Sequence, residues 1–371
     1  MGRLSAAARM LAPAEPLLDH LARLTDARGL FEHALGDVPR PEHGYCVDDA
    51  ARALVVVCRE PAPGPAVLRL GEQYLALCVA ATVPDGRARN RMDTAGRWTD
   101  QPALGDWWGR VLWGLGTAAA HGPPQYRERA LTAFATGAGR RSPDLRATAF
   151  SVLGAGAIVG RASPDAATAR ATALLDDAAR TLHALVLDAP GDGGPGDVGP
   201  GEGGPGDGGP GGAWPWPEPR LTYANATVPE AMLVAGSAPG HEALITRGTR
   251  LLAWLLEVQT HQGHLSVVPV GGRGPAEPPP GFDQQPSEVA ATADACARAH
   301  DLTGEVRWLD GVALARDWFL GDNDVGVPML DPRTGAGYDG LTPLGRNDNR
   351  GAESTLAAIS TLQQARRLGL T

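Results

Sequence analysis

Six times along the chain, an amphipathic helical stretch is followed, after a loop, by a stretch that is almost wholly small and apolar. The amphipathic members span residues 5–24, 66–82, 126–136, 165–187, 241–259 and 306–320. In the first of them Leu17, Leu18, Leu21 and Leu24 recur at helical spacing with charges between. The apolar members span residues 48–58, 107–120, 145–159, 227–235 and 288–299, and a final run opens at Gly351-Ala352-Glu353-Ser354. A helix apolar on every side must be enclosed, whereas an amphipathic one lies outside with its stripe turned inward. Six inner and six outer helices predict an all-α fold, an (α/α)6 barrel, as a single domain over residues 1–371. Almost no strand-like alternation competes with this pattern, and Ala, Gly and Ser on the inner helices permit close packing of the inner ring.

A solenoid of helix pairs has a similar period, but it does not require the asymmetry of the connections. Links from inner to outer helix are short, as at Gly122-Pro123-Pro124 and Ala238-Pro239-Gly240. Links from outer to inner helix are long and polar, and all open on the face where the inner helices begin. Long loops in a compact domain are usually functional. Local start signals fit the same register. Asp106 reads as a helix cap, Ser142-Pro143 as cap and first helical residue, and Thr227 to Glu230 as a capping box. Residues 191–212 are nearly all Gly and Pro punctuated by acids, without a three-residue register. They read as a disordered surface insertion within the barrel.

Charge and residue usage exclude several function classes. The net charge is −9, and Arg is scattered rather than clustered, which argues against nucleic acid or an anionic membrane as the main partner. All 33 formal cations are Arg. Lysine-dependent chemistries (Schiff base, P-loop, kinase) are therefore excluded. Cys46, Cys58, Cys78 and Cys296 have no CxxC spacing and sit in apolar surroundings. They read as buried hydrophobes in a reducing compartment, not as a zinc site or disulfide frame. The first residues make a poor signal peptide and no stretch reaches transmembrane length, so a cytoplasmic location is the expectation.

The chemistry gathers on the loop face. His43-Gly44-Tyr45-Cys46-Val47-Asp48-Asp49 runs straight into an apolar helix, so that two carboxylates stand at its mouth. One can serve as a cap while the other points into the space above. Glu288 and Glu353 each fall in the first turn of another apolar helix, where a carboxylate is costly unless paired or used. Asp49, Glu288 and Glu353 are the candidate catalytic residues. His43, Tyr45, Asp48, Trp107, Trp108, Trp214, Trp216, Tyr223, Asp283, Gln284, Gln285, Asp339 and Asn349 are candidates for substrate binding. Five of the nine Trp lie in or beside these loops. Aromatic faces stack on C–H surfaces, while carboxylates, amides and Arg take hydroxyls, a combination suited to a sugar or oligosaccharide. Each feature also has a plainer explanation, since a loop Trp is more often a core plug than a platform. Asp322 and Asp324 lack the rest of a calcium loop and read as solvated turn residues. His33 and His43 have no ligand spacing, so no metal and no cofactor are expected.

The runs LTDARGLFEHA, HGYCVDDAARAL, GDWWGRVLWGLG, WPWPEPRLTYANA, GFDQQPSEVAA and YDGLTPLGRNDNRGAEST together cover most of the chain outside the Gly/Pro segment. In this order they resemble a bacterial family of six-hairpin glycosidase-like proteins, often fused to or encoded beside glycosyltransferases and named after them. The resemblance implies the same α/α barrel, and a glycosyltransferase as a candidate partner. The chain departs from the family pattern at Val47 and Ala50, where HGYCTDDNARAL is expected, and at Ala224, where LTYDNA would place an acid. Asp48, Asp49, Asp283, Glu288 and Glu353 are retained. The resulting expectation is a carbohydrate-active enzyme, foremost a glycoside hydrolase working by carboxylate acid/base chemistry. Carboxyl groups about 5 Å apart would give retention, and roughly 6.5–9.5 Å inversion. The alternatives are a sugar epimerase or isomerase, in which His43 would abstract the proton, and a non-catalytic glycan-binding partner of a glycosyltransferase.

Overall fold

A computed structural model describes residues 17–161, 165–187 and 214–370. The Gly/Pro segment 191–212, and residues 5–16 of the first amphipathic stretch, lie outside the described residues. Among the described residues, twelve α-helices carry the fold. They are α1 (Asp19–Arg23), α2 (Val47–Cys58), α3 (Pro65–Ala81), α4 (Asp106–His121), α5 (Arg127–Gly137) and α6 (Leu145–Val159). Then follow α7 (Ala166–Leu187), α8 (Thr227–Gly236), α9 (Ala243–Val258), α10 (Pro286–Thr303), α11 (Arg307–Leu320) and α12 (Ala352–Arg367).

The apolar helices form the inner ring. Each of α2, α4, α6, α8, α10 and α12 packs on the next, and α12 packs back on α2. The ring therefore closes, and the architecture is an (α/α)6 barrel rather than an open solenoid. The outer helices lie over the seams, as α3 does against α2 and α4, and α11 against α10 and α12. α8 shows the physical reason for the layering: every residue from Thr227 to Gly236 is buried, which only an enclosed position allows.

Small residues set how tightly the ring closes. A Cβ on Gly116 would lie 2.2 Å from the Gly154 carbonyl oxygen, and one on Gly154 would lie 2.1 Å from that of Leu112. The α4 and α6 backbones thus touch directly, with no side chain able to yield. Gly154→Ala is expected to lower stability by about 1–3 kcal/mol through overpacking, read as a shifted urea midpoint. An unchanged midpoint would show that the two helices separate freely.

Several sequence expectations shift in detail. The α4 N-cap is Gly105, with Asp106 in the first turn. The α6 N-cap is Asp144, two residues past Ser142, whose hydroxyl instead bonds the Leu104 carbonyl. The α8 N-cap is Ala226, without a side-chain cap, so Thr227 and Glu230 form no capping box. Asp324 is no solvated turn residue: its buried carboxylate accepts from Gln284 at 2.6 Å and contacts His264 at 3.0 Å. The connection between α5 and α6, residues 138–144, is short, unlike the other outer-to-inner loops. Those loops also contain five two-stranded antiparallel sheets. One joins the first two loops by pairing Tyr45 with Met92 and Cys46 with Arg91. All four cysteines are buried and free. No helix among the described residues is long and apolar enough to cross a membrane.

Candidate active site

All six inner helices line one cavity that runs down the barrel axis from the loop face, about 580 Å³ of empty space when the solvent at its open mouth is included. A concave, largely apolar wall with a few convergent polar groups is the usual form of a small-molecule site. Its upper level carries Arg52, Arg110, Ala224, Ser287 and Glu353; further along the same helices come Trp113, Phe150, Glu230, Asp294 and Ser360.

The loops supply the helix starts with the caps that the helices themselves lack. Neither Asp48 nor Asp49 caps α2; the Asn90 side chain accepts from the Asp48 N–H at 3.1 Å. Both aspartates are thereby left for Arg. Arg110 donates to both oxygens of Asp48, at 2.7 and 2.6 Å. Arg52 contacts Asp48 at 3.4 Å, and through one nitrogen, Nη1, it reaches Asp49 at 2.9 Å and Glu353 at 2.7 Å. Asp339 caps α12 by accepting from the Gly351 N–H at 2.7 Å and from the Ser354 hydroxyl at 2.5 Å. It thereby fixes the turn that presents Glu353 to the cavity.

Electrostatics separate the two neighbouring aspartates. Burial works to raise the Asp48 carboxyl, but the Arg110 and Arg52 guanidiniums outweigh it and hold it below the usual carboxylate range. For Asp49 burial wins. Against Arg52, and with Asp48, Glu353 and Glu32 adding repulsion, its carboxyl is pushed up to about 8. One member of the pair is thus an anion near neutrality and the other an acid, a division typical of acid/base sites. A carboxyl raised from 3.8 to about 8 makes folding progressively less favourable as pH rises between those values. Relative to the native chain, Asp49→Asn should therefore gain stability between pH 5 and pH 8. Urea melts at both ends measure this, and a pH-independent difference would refute it.

Glu288 is committed elsewhere. Its carboxylate accepts from the Ala224 N–H, from the Asn225 N–H at 3.3 Å and from the Asn225 side-chain amide at 2.8 Å. Burial raises its carboxyl, and these three donors oppose the rise. Arg146 holds the same loop through the Tyr223 carbonyl at 3.0 Å and the Thr222 hydroxyl at 3.0 Å, and also bonds Glu218. The loop so clamped places Ala224 in the cavity wall at a left-handed φ of 46°, where the resemblance expects an acid. Asp or Asn adopts that backbone more readily than Ala.

Of the three candidate catalytic residues, Glu353 lines the cavity, Asp49 stands behind it across Arg52, and Glu288 anchors the neighbouring loop. The candidate binding residues are mostly bonded within the protein. Tyr45 is buried, donates to Asp26 at 2.7 Å and stacks on Phe31. The Trp107 and Trp108 indoles donate to the Ala88 and Gly86 carbonyls. Trp214 and Trp216 pack on Trp254 and bond Glu218. Gln284 is fully buried, Gln285 is the α10 N-cap, and Asn349 accepts from the Gly36 N–H at 3.0 Å. His43 lies edge-on to His33, away from the cavity wall. Asp283 is exposed, whereas Tyr223 is 45% exposed with its ring near the Arg146 guanidinium.

The wall also contains residues that attention to the loops overlooks: Arg52, Arg110, Trp113, Phe150, Glu230, Asp294 and Ser360. Arg110 lies 4.3 Å over the Phe150 ring, and Trp113 stacks on Phe150 at 5.7 Å. Their signal in the sequence is a charge or aromatic inside an otherwise small, apolar helix, which needs either a partner or an aqueous cavity. Glu32, Cys46 and Asp49 approach closely enough to share a metal ion. Arg91 already pairs with Glu32 and Arg52 with Asp49, so these residues fit an arginine-balanced cluster better than a cation site.

No family model and no curated protein matches the sequence. Solved structures do match, over nearly the full length. A sugar epimerase from a ruminal bacterium superposes with a TM-score of 0.68 at 11% identity, covering 99% of this chain and 99% of its own. The cellobiose 2-epimerase from Spirochaeta thermophila gives 0.62 at 13% identity and 98% coverage of each chain. A cellulase of C. cellulolyticum in complex with cellobiose gives 0.56 at 9% identity, covering 92% of this chain and 88% of that one. What this chain shares with them is the six-hairpin α/α-barrel fold.

Proposed function

We propose that the chain is a carbohydrate-active enzyme, and specifically a glycoside hydrolase whose site is the barrel lumen. The observation that carries this reading is the pairing of Glu353 and Asp49 on one guanidinium nitrogen of Arg52, with Glu353 open to the cavity. Glycosidic cleavage needs one carboxyl that gives a proton to the leaving oxygen and one carboxylate that attacks carbon or activates water. In this scheme Glu353 meets the substrate as the attacking or water-activating carboxylate, and the proton held on Asp49 behind it reaches the leaving oxygen through a water in the lumen. The aromatic pair Trp113 and Phe150 offers the C–H faces of a sugar a surface inside the lumen.

The second reading is a sugar epimerase or isomerase, favoured by the closer superposition on such enzymes, 0.68 against 0.56 for the cellulase. That chemistry abstracts a proton beside a carbonyl, and His43, the base expected for it, does not line the lumen. A reducing-end assay on a panel of oligosaccharides, run beside NMR of free sugars in D2O, separates the two. New reducing ends support hydrolysis, whereas deuterium exchange at carbon 2 without cleavage sinks it in favour of epimerisation. A non-catalytic glycan-binding role beside a glycosyltransferase would leave both assays silent while sugar binding persists. We further propose a cytoplasmic location and a single domain over the whole chain.

A further inference from the structure

Among the described residues, the buried carboxylates other than Glu230 are matched to donors. Asp49 has Arg52, Glu288 has the Ala224 and Asn225 amides, and Asp331 has Arg350. Glu230, only 5% exposed, has no hydrogen-bond or ion-pair partner among the described residues, and it lines the lumen. It belongs to α8, one of the most enclosed helices, where a solitary carboxylate is costly unless something enters to meet it. Burial, then the repulsion of Asp294, pushes its carboxyl up to about 7, against the pull of Arg298 and Arg59.

The surroundings indicate what enters. Arg59, at the end of α2, donates to Asp294 on α10 at 2.9 Å and to Ser360 on α12 at 2.7 Å, and Gln364 adds a bond to Asp294 at 2.6 Å. This polar strap joins three inner helices across the inner end of the lumen, so a chain cannot thread through. Trp113 and Phe150 present ring surfaces at the same level. An aromatic wall facing an unengaged carboxylate suits a compact ligand with one C–H face and adjacent hydroxyls.

We propose that Glu230 is the specificity-determining residue of a blind, single-unit subsite at the inner end of the lumen, where its carboxylate accepts hydrogen bonds from adjacent hydroxyls of a terminal neutral hexose unit. Oligosaccharides then enter end first. This inference rests on the reading of the lumen as a carbohydrate site and adds which part of the sugar chain is held, and by what.

The test is calorimetric titration of the full chain, and of its Glu230→Gln and Glu353→Gln variants, with D-glucose, D-mannose and D-galactose, beside their melting temperatures. At least one hexose binds the native chain. Glu230→Gln weakens it about tenfold or more, because a hydroxyl pair loses one of its two acceptors, while the variant melts no lower than the native chain. If that variant does not fold, Glu230→Asp keeps the charge but shortens the reach, and the same loss is expected. Unchanged hexose binding in Glu230→Gln, with turnover lost in Glu353→Gln, overturns this inference and leaves the hydrolase reading standing. A loss of binding that comes with a lowered melting temperature makes Glu230 a structural residue and also overturns it. No hexose binding by the native chain overturns both.

Discussion

On the proposed function, Glu353→Gln is expected to lower kcat by roughly 10²–10⁴-fold, the range of a lost acid/base group, and to leave sugar affinity within about threefold. The amide keeps the side chain's shape, and its oxygen can still accept from Arg52, which now holds Glu353 at 2.7 Å. The α12 start is also untouched, because Asp339 caps it through Gly351 and Ser354 rather than through Glu353. Lost turnover with retained binding, measured on the best substrate of the oligosaccharide panel, would identify Glu353 as a group that works mainly in the transition state. A variant that turns over at the native rate removes Glu353 from the chemistry. The proposed hydrolase would then lack its lumen-facing carboxylate at this level.

Arg52→Leu is the most damaging single change expected for the fold, costing about 3–5 kcal/mol, as when one partner of a buried ion pair is deleted. Arg52 is the cation shared by Asp48, Asp49 and Glu353, and its side chain is 14% exposed. Asp48 keeps Arg110, but Asp49 is left buried with no cation. The loss should depend on pH in a definite direction. In the native chain the Asp49 carboxyl already lies near 8, above its unfolded value of 3.8. Without Arg52 it rises further, and a carboxyl raised in the folded state makes stability fall as pH rises. The deficit is therefore level between pH 5 and pH 7, where Asp49 keeps its proton in both folded chains, and widens only as the pH rises through about 8 and above. Urea midpoints at pH 5, 7 and 9 decide the matter, and a deficit that narrows above pH 8 would contradict it.

These two side chains also mark how far the residues alone lead. The first-turn position of Glu353 in a small-residue helix can be read directly from Gly351-Ala352-Glu353-Ser354, and so can that of Glu288. That Glu353 faces the lumen while Glu288 turns sideways to hold Ala224 and Asn225 cannot be so read. Equivalent helical positions differ here because the loop before α8 folds over α10 and brings unsatisfied N–H groups within reach of one carboxylate but not the other. The Trp residues tell the same story. Their density near the loops suggested a sugar platform, yet Trp107, Trp108 and Trp214 give their indole N–H to nearby carbonyls. The aromatics that line the lumen, Trp113 and Phe150, are mid-helix residues.

By itself the sequence determined the architecture. Helix layering follows from which residues tolerate water, a property of each segment, so the alternation of apolar and amphipathic stretches sufficed to give six inner and six outer helices. It also determined that carboxylates would stand at the inner-helix starts. Only the tertiary structure decided which of them meet one another and which meet the cavity. Arg52 joins Asp49 to Glu353, and Glu230 is left without a partner among the described residues, through contacts between helices far apart in the chain. Charge pairing depends on distances of a few ångströms that no segment fixes alone.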